Sequence, residues 1–177
     1  MARDYDFTLT FAIPGTVDPD SLEKALFEAG CDDAILGIGQ NGRLALNFNR
    51  EAESAETAIL SALRDVKSAL PEARLVEAGP DLVGISDMAR LLAFSRQNMR
   101  KLIQTHLTNF PLPLHEGASA IWHFADVLAW FSDTQRRNIQ PNLMEVAKVS
   151  MGVNLAREAE RIDQQLQARL VQERAIV

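Results

Sequence analysis

The 177-residue sequence has little of what several classes of protein require. It contains one cysteine, Cys31, so it forms no intramolecular disulfide and no cysteine-based metal cluster. Charges or prolines interrupt its apolar runs before they reach the length of a membrane span, and its first residues lack the pattern of a secretory signal. We therefore expect a cytoplasmic protein with no membrane segment.

Recognisable catalytic patterns are also missing. The sequence has no glycine-rich phosphate loop and no nucleophile elbow, and the adjacent acids Asp32 and Asp33 fit a turn better than a catalytic pair. Its three histidines, His106, His115 and His123, have no acidic or thiol partners at the spacing of metal ligands. We expect these histidines at the surface or on a wing, and we expect neither an enzyme nor a bound cofactor or metal.

Positive charge is scarce and unevenly distributed. The net charge is -6 overall; residues 1–80 have 7 basic and 14 acidic residues, whereas residues 81–135 have 4 and 5, and residues 136–177 have 7 and 5. Salt screens charges beyond about 8 Å, so binding to nucleic acid depends on local positive potential rather than on a basic protein. The acidic first segment is thus compatible with a DNA-binding surface elsewhere in the chain.

Two short amphipathic helix patterns follow each other almost directly in the middle of the chain. Ser86 is expected to cap the first helix and Ser95 the second. Their apolar residues recur at helical spacing: Met88, Ala89 and Leu92, then Met99, Leu102 and Ile103. Only Ala93 and Phe94 connect the two patterns, which predicts a helix-turn-helix.

The second of these helices has an outward face rich in hydrogen-bond donors. Three cations and no acid lie between Ser95 and Gln104. Arginine suits guanine edges, and asparagine and glutamine suit adenine edges. The residues expected to approach base edges are Gln97, Asn98, Arg100 and Lys101. Those expected to meet phosphate are Arg96, Gln104 and the Ser86 end of the first helix.

A hairpin and a third helix are predicted next. Extended runs at residues 113–115 and 119–122 flank a turn at residues 116–118, and an apolar helix follows from about Ala125. Two further motifs are Ser95-Arg-Gln97 at the start of the second helix and Trp122-His-Phe-Ala-Asp-Val127 after the hairpin. Helix, helix, hairpin and helix in this order predict a winged helix-turn-helix.

Residues 82–132 resemble the MerR-like, excisionase and AlpA-type DNA-binding domains, in which both motifs are typical. The resemblance covers less than a third of the chain. It implies binding to double-stranded DNA, with the wing from His115 to Ser119 against the neighbouring backbone. Ala93 stands where these domains usually carry glycine, and a positive φ there would cost roughly 1 kcal/mol.

Residues 1–79 predict a separate ferredoxin-like domain within an α+β chain. The expected elements are a strand at 5–13, a helix opened by Asp20 or Ser21 and ended at Gly30, strands at 34–38 and 43–48 joined by Gly39-Gln-Asn-Gly42, a helix capped by Ser54, and a strand at 73–78. The order β-α-β-β-α-β is that of the split βαβ arrangement. Gly79-Pro-Asp81 marks the boundary with the next domain, residues 80–135.

The role of this first domain is left open by its sequence. Gly37, Gly39 and Gly42 could leave room for a small ligand, although turn chemistry explains them fully. The sheet could also serve as a platform for a partner protein.

The last segment, residues 136–177, predicts two helices. Pro141 opens the first, and the second runs from Asn154 to about Glu173. The second carries a long apolar stripe formed by Leu155, Ala159, Ile162, Leu166 and Leu170. The stripe could pack against a second copy, since readers of paired half-sites act as dimers, or it could fold back over its own chain.

The leading hypothesis is a bacterial-type, sequence-specific transcriptional regulator that binds double-stranded DNA as a homodimer. An alternative is an antitoxin or adaptor that holds a protein partner on its acidic first domain and binds DNA for autoregulation. A third is a switch that responds to a small ligand bound by residues 1–80.

Overall fold

The chain folds as an α+β protein in a computed structural model that describes residues 1–15, 18–39 and 42–173. We call residues 3–79 the N-terminal lobe. Its elements are β1 (Arg3–Ala12), α1 (Pro19–Glu28), β2 (Ala34–Ile38), β3 (Arg43–Ala52), α2 (Ala55–Ala69) and β4 (Arg74–Gly79). The four strands form an antiparallel sheet in the order β2-β3-β1-β4.

Side-chain alternation along β1 builds the core of this lobe. Tyr5, Phe7, Leu9 and Phe11 are buried on one face of the sheet, and α1 and α2 pack against them. The other face carries polar side chains. On that face Asp4 lies directly opposite Glu51 across the β1–β3 pair.

One of the two expected helix starts in the N-terminal lobe differs from the structure. The residue that caps α1 is Asp18, whose Oδ2 accepts the Ser21 amide at 3.0 Å, so the expectation of Asp20 or Ser21 is wrong by two or three residues. Pro19 occupies the first helical position, where its missing N–H costs nothing. Ser54 caps α2 as expected. Gln40 and Asn41, the middle of the predicted hairpin turn, lie outside the described residues.

We call residues 82–133 the central lobe. It contains β5 (Leu82–Val83), α3 (Ile85–Leu91), α4 (Arg96–Thr105), β6 (Trp122–His123) and α5 (Phe124–Asp133). Its own core is formed by the apolar sides of the three helices together with Phe110 and Trp122. The strand β5 was not predicted from the sequence; it pairs with β6, setting Val83 opposite Trp122.

Two helices complete the described chain: α6 (Pro141–Ala159) and α7 (Gln164–Gln172). The expected break near Asn154 is wrong, because α6 continues through it and ends after Ala159. Val146 of α6 belongs to the core of the N-terminal lobe, and the adjacent Ala147 belongs to the core of the central lobe. One helix therefore packs into both lobes. None of the described helices is long and apolar enough to cross a membrane.

Candidate nucleic-acid interface

The first helix of the predicted helix-turn-helix begins earlier than its sequence suggests. Ser86 lies inside α3, and the residue before the helix is Gly84, whose amide donates to Asp87 Oδ2 at 3.1 Å. Ser86 was expected as the cap because serine is favoured there, but the carboxylate at the third helical position satisfies the end of the helix instead. The Ser86 side chain is thereby left exposed.

The turn between α3 and α4 is short, and a residue that follows α5 holds it in place. Ala93 has a φ of 56°, the left-handed conformation that its place in the turn predicts. The Phe94 amide donates to the Ala89 carbonyl at 2.8 Å and closes the turn. Arg137, beyond α5, donates to the Leu92 carbonyl at 2.9 Å and lies over the Phe94 ring, 4.4 Å from its centroid. These contacts hold the angle between the two helices.

The second helix presents its polar side outward as its periodicity predicts. Ser95 caps α4, with its Oγ accepting the Asn98 amide at 3.1 Å, while Met99 and Ile103 are buried. All ten candidate residues are exposed: Ser86, Ser95, Arg96, Gln97, Asn98, Arg100, Lys101, Gln104, His115 and Ser119. Neither the N-terminal lobe nor the described part of the C-terminal helices covers this surface.

Four of these ten side chains line one open cavity of about 330 Å³. They are Ser86 from α3, Arg96 and Arg100 from α4, and Ser119 from the predicted wing. Asp87 is the one acid in its lining. Three separate segments therefore bring two guanidinium groups and two hydroxyls to one place. The remaining six candidates lie outside this lining.

The predicted wing is smaller than expected. Of the two extended runs, at residues 113–115 and 119–122, only His115 and Ile121 form a bridge, and Trp122 pairs with β5. The Ile121 amide donates to the His115 carbonyl at 3.0 Å. A Cβ at Gly117 would lie 2.7 Å from His115 Nε2, so glycine lets this ring fold over the turn. Proline at 111 and 113 limits pairing, because it cannot donate to a ladder.

His123 is wrongly expected at the surface. Its Nδ1 lies 2.7 Å from Oδ1 of Asp81, whose side chain is completely buried between the two lobes. The second carboxylate oxygen of Asp81 accepts from Asn154 Nδ2 at 2.8 Å. Periodicity does not reveal these residues, because none of them lies in a periodic pattern. The one available signal is an acid directly after Gly79-Pro80, where the sequence predicts a linker.

A cleft of about 570 Å³ separates the uncovered sheet face from α3. Glu77, Asp6 and Asp87 line it with Arg90. Burial raises the pKa of the Glu77 carboxyl, and the nearby Asp81 and Asp87 add to the effect. In the part of the chain that the structure describes, no group of histidine, cysteine or acidic side chains is arranged to hold a metal ion.

Cys31 is buried and packs at the end of α1, as its position predicts. Burial raises its pKa to about 11, and the carboxylate of Asp65 contributes. At neutral pH the side chain therefore stays a thiol, which is a poor nucleophile.

No family model, curated protein or solved structure matches the chain.

Proposed function

We propose that this protein is a sequence-specific, double-stranded DNA-binding regulator of transcription that acts as a dimer. In this proposal residues 80–135 form a winged helix-turn-helix of the MerR-like, excisionase or AlpA type, and α4 lies in the major groove. Residues 1–79 form a ferredoxin-like domain that senses a ligand or binds a partner. The strand order β2-β3-β1-β4, with α1 and α2 on one face, supports this assignment for the N-terminal lobe.

The observation that carries the proposal is the cavity lined by Arg96, Arg100, Ser86 and Ser119. Guanidinium and hydroxyl groups are the usual donors to phosphate oxygens, and contacts of this kind fix the register of a protein on a duplex. Here they come from both helices and the wing, and they lie beside the outward side of α4.

The outward side of α4 supplies what base recognition requires. Gln97, Asn98 and Lys101 are exposed, lie outside the cavity and carry hydrogen-bond donors. Their amide and ammonium groups suit adenine and guanine edges in the major groove. Phosphate contacts in the cavity would position α4, and these side chains would read the sequence.

The decisive experiment is selection of bound fragments from genomic DNA by the full chain, followed by affinity measurements on the selected site. A palindromic consensus would identify both the site and its two-fold symmetry. The variant with Arg100→Ala and Lys101→Ala should lose affinity and show a weaker salt dependence, because two cations are removed. A variant with Lys24→Ala and Arg64→Ala removes two exposed cations of the N-terminal lobe and should bind like the unmodified chain.

Two results would refute this function. One is selection that returns no enriched sequence. The other is equal affinity of the Arg100/Lys101 variant and the unmodified chain for the selected site at every salt concentration.

A second candidate function is supported by the uncovered face of the sheet. Asp4, Asp6 and Glu51 are exposed on it, and Asp6 also lines the cleft that faces α3. Such a surface suits a basic protein, as in an antitoxin or adaptor that binds DNA only to regulate itself. A stoichiometric basic partner that is lost on Asp6→Lys and Glu51→Lys, while DNA binding persists, would favour this function.

A further inference from the structure

The last helix of the described chain has no buried residue. Leu166 is 44% exposed and Val171 is 55% exposed, although α7 has a distinct apolar side. A helix of nine residues is marginal in water by itself, because isolated helices shorter than about 12 residues gain too little to offset nucleation. Packing of these apolar side chains against another surface would therefore stabilise α7.

The apolar side of α7 is narrow and has acids at its borders. At 100° per residue, Leu166 and Leu170 fall close together on the helix surface, and Ile162 continues the line before the helix begins. Asp163, which caps the helix, borders the line at one end, and Glu173 borders it at the other, while one cation, Arg169, lies beside it in the last turn. A matching surface should be apolar in its middle and positively charged at its rim.

A groove of about 810 Å³ between α2, β4 and α6 has this character. Its walls are mainly aliphatic, and they include Leu60 of α2, which is 36% exposed. Four cations and one acid stand at its rim: Lys67, Arg74, Arg157, Arg161 and Glu160. Glu158, outside the lining, pairs with Arg157 and Arg161, so the rim keeps a smaller positive excess. This positive rim is notable because residues 1–80 have twice as many acidic as basic residues.

We propose that α7 docks in this groove of a second copy, so that two chains exchange their C-terminal helices. The proposal rests on the dimer proposed above and identifies its interface. Leu166 and Leu170 would lie against Leu60 and its aliphatic neighbours, and the acids at the borders of α7 would face the basic rim.

Reciprocal exchange suits the chain better than docking of α7 in its own groove. Only residues 160–163 separate α6 from α7, and α6 itself forms one wall of the groove near its end. With this short connection α7 does not lie in the groove of its own chain, and none of its residues is buried there. An exchange between two copies uses the same surface on each chain and closes at a dimer.

The first test measures the mass of the full chain in solution by sedimentation equilibrium, without DNA. The unmodified chain should be a dimer. Leu166→Glu on the helix and Leu60→Glu in the groove should each weaken the dimer by at least about tenfold, since either places a charge in an apolar contact. Leu155→Glu is the matched control: Leu155 is 52% exposed on α6 and does not line the groove, so this variant should stay dimeric.

The second test distinguishes exchange from docking within one chain. One preparation carries Ala156→Cys at the groove and another carries Leu166→Cys on α7; both are mixed and treated with a short thiol cross-linker. Cys31 is buried and should not compete. A covalent dimer containing one chain of each type should form, in higher yield than from either preparation alone.

A third preparation carries both cysteines in one chain. Three results would overturn the proposal: a monomer at all concentrations, a dimer that both glutamate variants leave intact, or no covalent dimer from the mixed preparations while the chain with both cysteines cross-links internally. The last would assign the groove to the chain's own α7. A monomer would also remove the dimer from the proposed function, but DNA binding itself is tested separately by the Arg100/Lys101 variant.

Discussion

Asn154 takes the place of a neighbouring strand at Ala78. Its Oδ1 accepts the Ala78 amide and its Nδ2 donates to the Ala78 carbonyl, each at 2.8 Å, and Nδ2 also donates to Asp81. β4 is an edge strand, and its free backbone groups would otherwise be buried beneath α6 without partners. A single side chain thus joins the edge of the sheet, the segment between the lobes and the helix that packs on both.

Asn154→Leu should destabilise the protein strongly. It keeps a similar volume but leaves the amide and carbonyl of Ala78 and one oxygen of Asp81 buried without partners. A buried unsatisfied group costs about 1 to 3 kcal/mol, so we expect a total loss of about 3 kcal/mol. Urea unfolding measures it. Leu155→Ala, next along the helix and exposed, should change the free energy of unfolding by less than about 0.5 kcal/mol.

Arg50 should be intolerant of change because its buried guanidinium is fully hydrogen-bonded. It donates to both oxygens of Asp33, to Asp65, to Ser61 and to the Gly30 carbonyl. Arg50→Met should lower the free energy of unfolding by about 3 kcal/mol. This is the low end of the range for breaking a buried ion pair, because the two carboxylates stay partly exposed.

Lysine should not replace Arg50 fully, since one ammonium group cannot reach acceptors on so many sides. Arg50→Lys should therefore lower the melting temperature, though less than Arg50→Met. Arg64→Met on the exposed side of α2 is the control and should be nearly neutral. Equal stability of Arg50→Lys and the unmodified chain would show that the fork of hydrogen bonds contributes nothing beyond charge.

Ala93→Gly should stabilise the protein slightly. The left-handed φ of Ala93 costs about 1 kcal/mol, which glycine avoids, but glycine loses more backbone entropy on folding. We expect a net gain of about 0.5 kcal/mol from these two effects. Ala25→Gly inside α1 has no such strain to relieve and should lose about 1 kcal/mol, so chemical unfolding should move the two variants in opposite directions.

Glu77→Gln should raise stability at neutral pH more than in acid. The folded-state pKa of Glu77 is raised above its ordinary value of 4.5, so the folded chain holds this proton more tightly than the unfolded chain. The carboxyl therefore favours folding when protonated, and that contribution is lost as the pH rises from 4.5 through the folded-state pKa. Melting temperatures across this range should show a gain for glutamine that shrinks as the pH falls; a constant difference would contradict titration of Glu77 as its cause.

DNA binding should separate two groups of residues on α4. Arg96→Ala should weaken binding to every sequence. It should also lower the slope of log affinity against log salt concentration by about the amount that one phosphate contact contributes. Asn98→Ala should instead relax the preference at one base pair, at a cost of about 1 to 3 kcal/mol for the preferred site, with the salt dependence unchanged. Competition binding with single-base variants of the selected site, repeated at several salt concentrations, measures both effects.

The helices of this chain follow from its sequence because local signals specify them. Ser54 and Ser95 cap α2 and α4 as expected, and the apolar spacing from Met99 to Ile103 predicts which side of α4 is buried. Ser86 failed as a cap because Asp87, one residue on, satisfies the same end of the helix from inside it.

Contacts between distant segments could not be predicted in this way. Asp81, His123 and Asn154 meet only after both lobes have formed, and no spacing in the sequence relates them. The pairing of Trp122 with Val83 was missed for the same reason: a two-residue strand has no period, and its partner lies 39 residues away in the sequence.

Because α6 packs into both cores, neither lobe could have been gained in evolution without it. A fragment ending at residue 79 would expose the edge of β4 and lose Val146 from its interior, and a fragment of the central lobe alone would lose Ala147. Neither lobe keeps its whole core without α6. A recombination event that joined either lobe to another gene would also have to include the segment that encodes α6.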